Sequence, residues 1–215
     1  MRIVGFGLIL ALTYLASVDA AQPPSPSPQR GTPPPTTAPG GQRGGGRGRG
    51  AIPVMTLTTS AWTDGSHIPV KYTQAGEEVS PPLTWSHVPD GVVSFVLMAH
   101  DLDAAVGNGT DDLLHWLLWN IPGNTTSLPE HVPTVPQLPD GTRQISATGP
   151  SYRGPGAAAA GPPHHYVFEL FALDVMLDLP AVGASPPQTR AAVLAAMGGH
   201  VRGKAVCVGL FKRPG

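Results

Sequence analysis

The chain has 215 residues, a formal net charge of −1, 41% hydrophobic residues and one cysteine, which rules out a disulfide-stapled miniprotein and a strongly basic nucleic-acid binder. Charge is unevenly spread: Ile52 to Gly215 holds 8 Lys or Arg against 13 Asp or Glu. The part able to fold is therefore acidic, which argues against a nucleic-acid groove.

Residues 1–20 read as a signal peptide. The apolar block Ile3 to Val18 follows the positive charge of Arg2 and falls short of the about 20 residues a bilayer span needs. Val18, Asp19 and Ala20 supply the small, any, small pattern of a cleavage site, so removal after Ala20 and a periplasmic or secreted product are expected. The alternative is an uncleaved segment that tethers the protein to a membrane. Residues 21–50 form a Pro/Gly/Arg-rich linker. From Gln22 to Gly50 there is no aromatic and no large aliphatic residue, so the segment cannot bury enough surface to offset the entropy of ordering and is expected to be disordered. Its arginines, Arg30, Arg43, Arg47 and Arg49, would meet anionic lipid or cell-wall polymer as readily as RNA.

Residues 51–215, roughly 160 in number, suffice for one core. Weak strands are expected at Met55–Thr58 and His67–Tyr72. Stronger ones follow at Val92–Ala99, Leu113–Ile121, His165–Leu173 and Lys204–Phe211, each rich in aromatic or β-branched residues and bounded by Gly, Pro, Asn or Asp. Proline-studded connections such as Ser80-Pro81-Pro82 and Pro122-Gly123-Asn124 mark sharp turns. Ala157 to Ala160, hemmed in by Gly and Pro, reads as a loop spacer. Ser185, Pro186 and Gln188 predict a capped helix of about three turns ending at Gly198-Gly199. The expected fold is mostly β, a two-sheet antiparallel sandwich, with this short helix in the C-terminal region covering an edge or an open end. Cys207, inside an apolar run, reads as a buried thiol.

Candidate chemistry begins at His100-Asp101-Leu102-Asp103, where strand alternation would set Asp101 and Asp103 on one face. His115 is polar inside Leu-Leu-His-Trp-Leu-Leu-Trp-Asn-Ile, and His164-His165-Tyr166 opens another apolar run. Each set has a bland reading, an acidic turn or a hydrogen-bonded core histidine. All three, however, stand at strand ends beside Gly- or Pro-rich loops, where a pocket gathers its lining. Imidazole, phenol and backbone N–H groups suit a phosphate or carboxylate, while the aspartates orient a histidine or accept a cation attached to the phosphate. No zinc signature, paired cysteines, nucleophile elbow or nucleotide loop is present. Glu169 requires a partner if its face is buried, with Arg153 or Arg202 as candidates.

The order of these pieces resembles the phosphatidylethanolamine-binding protein family, which includes the Raf kinase inhibitor proteins, and in particular its bacterial branch. The matching segments are Ile68–Thr73 (IPVKYT), Ser80–Trp85 (SPPLTW), His100–Ala104 (HDLDA), His115–Pro122 (HWLLWNIP), Ser151–Gly156 (SYRGPG), His164–Asp174 (HHYVFELFALD) and Gly199–Arg213 (GHVRGKAVCVGLFKR). The resemblance implies a ligand pocket formed by Asp101, Asp103, His115, His164 and Tyr166, closed by a loop carrying Tyr152, Gly154 and Pro155. Leu102 and Ala105 replace the prolines of the family's Asp-Pro-Asp-Ala-Pro segment, and His165 stands where an arginine is common, exchanging a fixed charge for one that depends on pH. The function so implied is an exported, non-catalytic protein, without cofactor or metal, that binds a small anionic or phosphate-containing ligand such as a lipid head group. Alternatives are a protein-interaction or inhibitor module acting on an envelope protein, and a metal-dependent hydrolase.

Overall fold

A computed structural model describes residues 51–179 and 185–215. The signal and linker segments expected over residues 1–50 lie outside the described residues. Among the described residues, no helix is long and apolar enough to cross a membrane.

Two antiparallel sheets make the domain. The smaller is built from β1 (Thr56–Thr58), β2 (Leu83–Ser86) and β5 (Ser127–Leu128), in the order β1-β2-β5. The larger holds β3 (Ser94–Val106), β4 (Asp111–Pro122), β6 (Arg143–Ile145), β7 (His164–Leu173) and β8 (Val201–Phe211), in the order β6-β4-β3-β7-β8. The expected sandwich is thus present, and its four strong strands are all in the larger sheet. The segment His67–Tyr72 is not a strand. It makes one isolated bridge, His67 to Leu210, and then winds into a 3-10 turn at Val70–Tyr72, because Pro69 supplies no N–H for a ladder.

Strand β3 is the hub, antiparallel to β4 on one side and to β7 on the other. It does not stop at Ala99 but continues through His100–Val106, since Gly107 and Gly109 take positive φ values of 61° and 88° and turn the chain tightly back into β4. Phe95, Leu97 and Ala99 alternate with Val96 and Met98, and the two sets feed different cores. The first core fills the space between the sheets with Leu83, Trp85, Phe95, Leu97, Trp116, Phe168 and Leu170, among others. The second joins Val96, Met98, Leu117 and Trp119 to Val193 and Met197 of the helical segment.

The helix α1 (Pro186–Ala196) begins where its sequence directs: Ser185 N–H donates to Gln188 Oε1 at 3.1 Å, the reciprocal half of a capping box. It lies against the outer face of the larger sheet rather than over an edge, because Val193 and Met197 seal the second core. Burying two such side chains contributes about 1.5–3 kcal/mol each.

The β3–β4 ladder shifts register in three places; one, between Asp101 and Val106, puts the extra residues in β3, and the other two put an extra residue in β4, each redirecting a polar side chain. Ala99 pairs with Trp116 but His100 pairs with Leu114, so His115 has no opposite number and stands in a β-bulge. A second register shift falls between Phe95 and Leu97, where Asn120 adopts a left-handed φ of 59°, a conformation Asn tolerates. Its amide is held at both ends: Nδ2 donates to Leu177 O (2.9 Å) and Oδ1 accepts from Leu177 N (2.8 Å).

Candidate functional site

The site forms where β3, β4 and β7 run side by side. Asp101 is 2% exposed and pairs directly with Tyr166 on β7. Its oxygens accept from His164 Nδ1 at 2.9 and 3.1 Å and from the N–H of Asp103 at 3.0 Å. Those donors compensate for burying a carboxylate.

The bulge decides where His115 goes. In a regular ladder, successive residues face opposite ways, so His115 and Trp116 could not both join the inter-sheet face. With one extra residue they do: the His115 ring meets Tyr166 edge-on at 5.1 Å, and Trp116 packs edge-on against Tyr152 at 5.4 Å. His115 Nδ1 lies 2.9 Å from the carbonyl of Arg153. Its Nε2 is buried without a hydrogen-bond partner. Burial holds the His115 pKa below the ordinary imidazole value, although the Arg153 carbonyl and Asp101 oppose the shift.

Tyr166 is fixed by the loop after β6. Its hydroxyl accepts from the N–H groups of Gly156 and Ala157, both at 3.1 Å. Burial and the nearby Asp101 push its pKa up to about 12, leaving the phenol protonated. Tyr152 donates its hydroxyl to Tyr72 O at 2.9 Å, and burial raises its pKa. Gly154 sits so close to the 3-10 turn that a Cβ there would approach Tyr72 O to 2.7 Å, and Gln74 clamps the same stretch by donating Nε2 to Gly154 O (2.8 Å) and its N–H to Pro155 O (3.0 Å).

Of the residues anticipated from sequence, Asp101, His115, His164 and Tyr166 converge, and Tyr152, Gly154 and Pro155 border them. The side chain of Asp103 does not join them. Its carboxylate turns to the surface and accepts from the N–H (2.6 Å) and Nδ1 (2.9 Å) of His165, contacts that hold its pKa down. What Asp103 gives Asp101 is a backbone donor.

A second polar cluster, on the opposite face of the same strands, was not anticipated. His100, 6% exposed, sits with Nδ1 2.6 Å from Asp112 Oδ2 and Nε2 3.3 Å from Glu169 Oε2, the latter an ionic contact whose angles fall short of a hydrogen bond. Arg190 of α1 clasps Asp112, and Lys204 of β8 lies 2.5 Å from Glu169. Glu169 therefore finds Lys204 and His100, not Arg153 or Arg202. Its pKa is driven down to about 2 by His100 and Lys204, against the effect of burial. For His100, burial disfavours the charged ring, but Glu169 and Asp112 outweigh it and raise the pKa. The sequence signal was the adjacency of His100 and Asp101: neighbours on a strand serve opposite faces.

A two-sheet antiparallel sandwich with one late helix and a His, Asp and Tyr gathered on its inner face defines a class of small β-sandwich binding proteins. The chain belongs to the phosphatidylethanolamine-binding protein family, whose sequence profile matches residues 58–212. A UPF0098 protein of Methanothermobacter thermautotrophicus is 42% identical over 161 residues, covering 74% of this chain and 99% of that one. A UPF0098 protein of Aquifex aeolicus is 34% identical over 161 residues, covering 74% and 90%. The crystal structure of a phosphatidylethanolamine-binding protein homologue from Chlamydia trachomatis superposes with a TM-score of 0.63 at 30% identity, covering 75% of this chain and 99% of that one. Escherichia coli YbcL shares the fold at 24% identity with a TM-score of 0.61, covering 74% and 99%. Members of this family are characteristically binding proteins without catalytic activity.

Proposed function

We propose that this protein is an exported binding protein whose ligand, a small phosphate-bearing or otherwise anionic group such as a phospholipid head group, is received at Asp101, His115, His164 and Tyr166. The observation that carries the reading is His115 Nε2, a buried ring nitrogen with no partner beside a protonated phenol and a buried carboxylate. An unsatisfied buried polar atom costs about 1–3 kcal/mol, a deficit that a guest would remove. The loop from Tyr152 to Pro155 shapes the site through its own backbone, and the Asp101 carboxylate, oriented by His164, is an acceptor for the cationic end of a zwitterionic head group.

Isothermal titration with phosphate and with phosphoethanolamine tests the reading. Replacing His115 or His164 by Ala is expected to weaken binding about ten- to a hundredfold, the worth of one hydrogen bond to a charged group. Equal affinity in wild type and both variants would show that the ligand goes elsewhere.

A further inference from the structure

The hydrogen-bonding of His115 restricts what can reach it, a restriction that rests on the proposed anion site. A carbonyl oxygen only accepts, so the 2.9 Å contact between His115 Nδ1 and Arg153 O requires the ring proton to be on Nδ1. In the neutral ring Nε2 is then a lone pair. That nitrogen has no hydrogen-bond partner, while its neighbours are engaged with one another: Asp101 of β3 accepts from His164 and from the Asp103 N–H, the Tyr166 hydroxyl of β7 lies against Asp101 and accepts from Gly156 and Ala157, and Nη2 of Arg153 donates to Gln74 Oε1 at 3.2 Å. Burial favours the neutral state of the ring. His115 Nε2 therefore presents a lone pair, with the Asp101 carboxylate nearby, to an incoming oxyanion.

We infer that the ligand group is a phosphoryl oxyanion that arrives carrying its own proton, donated from P–OH to His115 Nε2, and that a fully ionised oxyanion enters only when the ring takes a proton from solvent. In the first case the guest binds as its monoanion and no net proton is taken up. In the second, Nε2 gains one proton, the imidazolium donates from both nitrogens, and one proton leaves solution for each anion bound. The chemical class selected is a phosphate or phosphomonoester in its singly ionised form, over sulfate or sulfonate of the same shape.

The full chain titrated calorimetrically with inorganic phosphate and with sulfate from pH 5.5 to 8.5, in buffers of differing ionisation enthalpy, distinguishes the cases. Sulfate affinity is expected to fall about tenfold per pH unit across the range above the ring's pKa, with about one proton taken up. Phosphate affinity is expected to stay level until its own second ionisation near neutrality and to fall only above it. In 15N spectra, His115 should be the neutral Nδ1–H tautomer in the free protein and protonated on both nitrogens when saturated with sulfate. Binding of both anions with no pH slope, or a His115 ring that stays neutral with sulfate bound, overturns the inference while leaving the anion site standing. Failure of either anion to bind at any pH overturns the site itself and the inference with it.

Discussion

His115 and Gly154 show how little local chemistry the site requires once the backbone is in place. Gly154 has no tolerance for a side chain because the carbonyl of Tyr72 is already 2.7 Å from where a Cβ would stand, and that atom is backbone. Gly154→Ala is expected to destabilise the domain by about 1–3 kcal/mol and to weaken anion binding, since the strain is relieved only by moving the loop that holds Tyr152 and supplies N–H groups to Tyr166. Thermal melts and titration of the same variant check both effects. At nearby Gly156 the three atoms nearest a Cβ all belong to the end of the Gln74 side chain rather than to backbone, so Gly156→Ala should cost less. At this scale the sequence was largely readable. Asp101, His115, His164 and Tyr166 announce themselves as polar residues in apolar runs, and four of the five anticipated side chains meet. Asp103 was misplaced because strand alternation assumes a straight strand, whereas the hydrogen bonds of His165 draw its carboxylate to the surface.

The strands and the helix are held to each other through the outer cluster, and that cluster titrates. Both carboxylates facing His100 can be met by a donor only when the ring carries two protons; a neutral ring must turn a lone pair toward Asp112 or Glu169. With its folded pKa raised above the ordinary value near 6.5, His100 contributes stability in full below about pH 6.5. That contribution is lost as pH rises through the raised value. The difference in unfolding free energy between wild type and His100→Gln should accordingly shrink as pH increases, measured by urea denaturation at a series of pH values. A difference that grows with pH would contradict the assignment. Asp112→Asn, which removes the charge shared by His100 and Arg190, is expected to cost about 1.5–3 kcal/mol and to loosen α1. The four long strands and α1 could be read in advance, since each rests on local signals: β-branched or aromatic runs, and a capping box. Strands β2, β5 and β6 could not, because stretches of two to four residues carry no periodicity and exist only through the partners that pair with them. The two shifts in β4 were equally hidden, for they are properties of a pairing between strands.

Across the whole molecule, the described residues form one sandwich with an apolar layer on each face of its larger sheet. Cys207 reports on the integrity of the layer between the sheets. It is 1% exposed, and burial pushes its pKa up to about 11, so a thiol reagent should reach it only through opening of the core. Labelling at neutral pH should proceed orders of magnitude more slowly than for an unfolded control and track denaturant-induced unfolding. Fast labelling in native buffer would mean that β8 separates readily from β7. The sandwich class was legible from composition and strand spacing; the seating of α1 on a face was not, because it depends on Val193 and Met197 meeting Val96 and Trp119 across the chain. The bulge at His115 gives this architecture an unusual kind of modularity. Excising that one residue would let Leu114 and Trp116 close up against His100 and Ala99, so a shortened chain could regain regular pairing at that point while losing the imidazole altogether, leaving scaffold and recognition separable by a single codon.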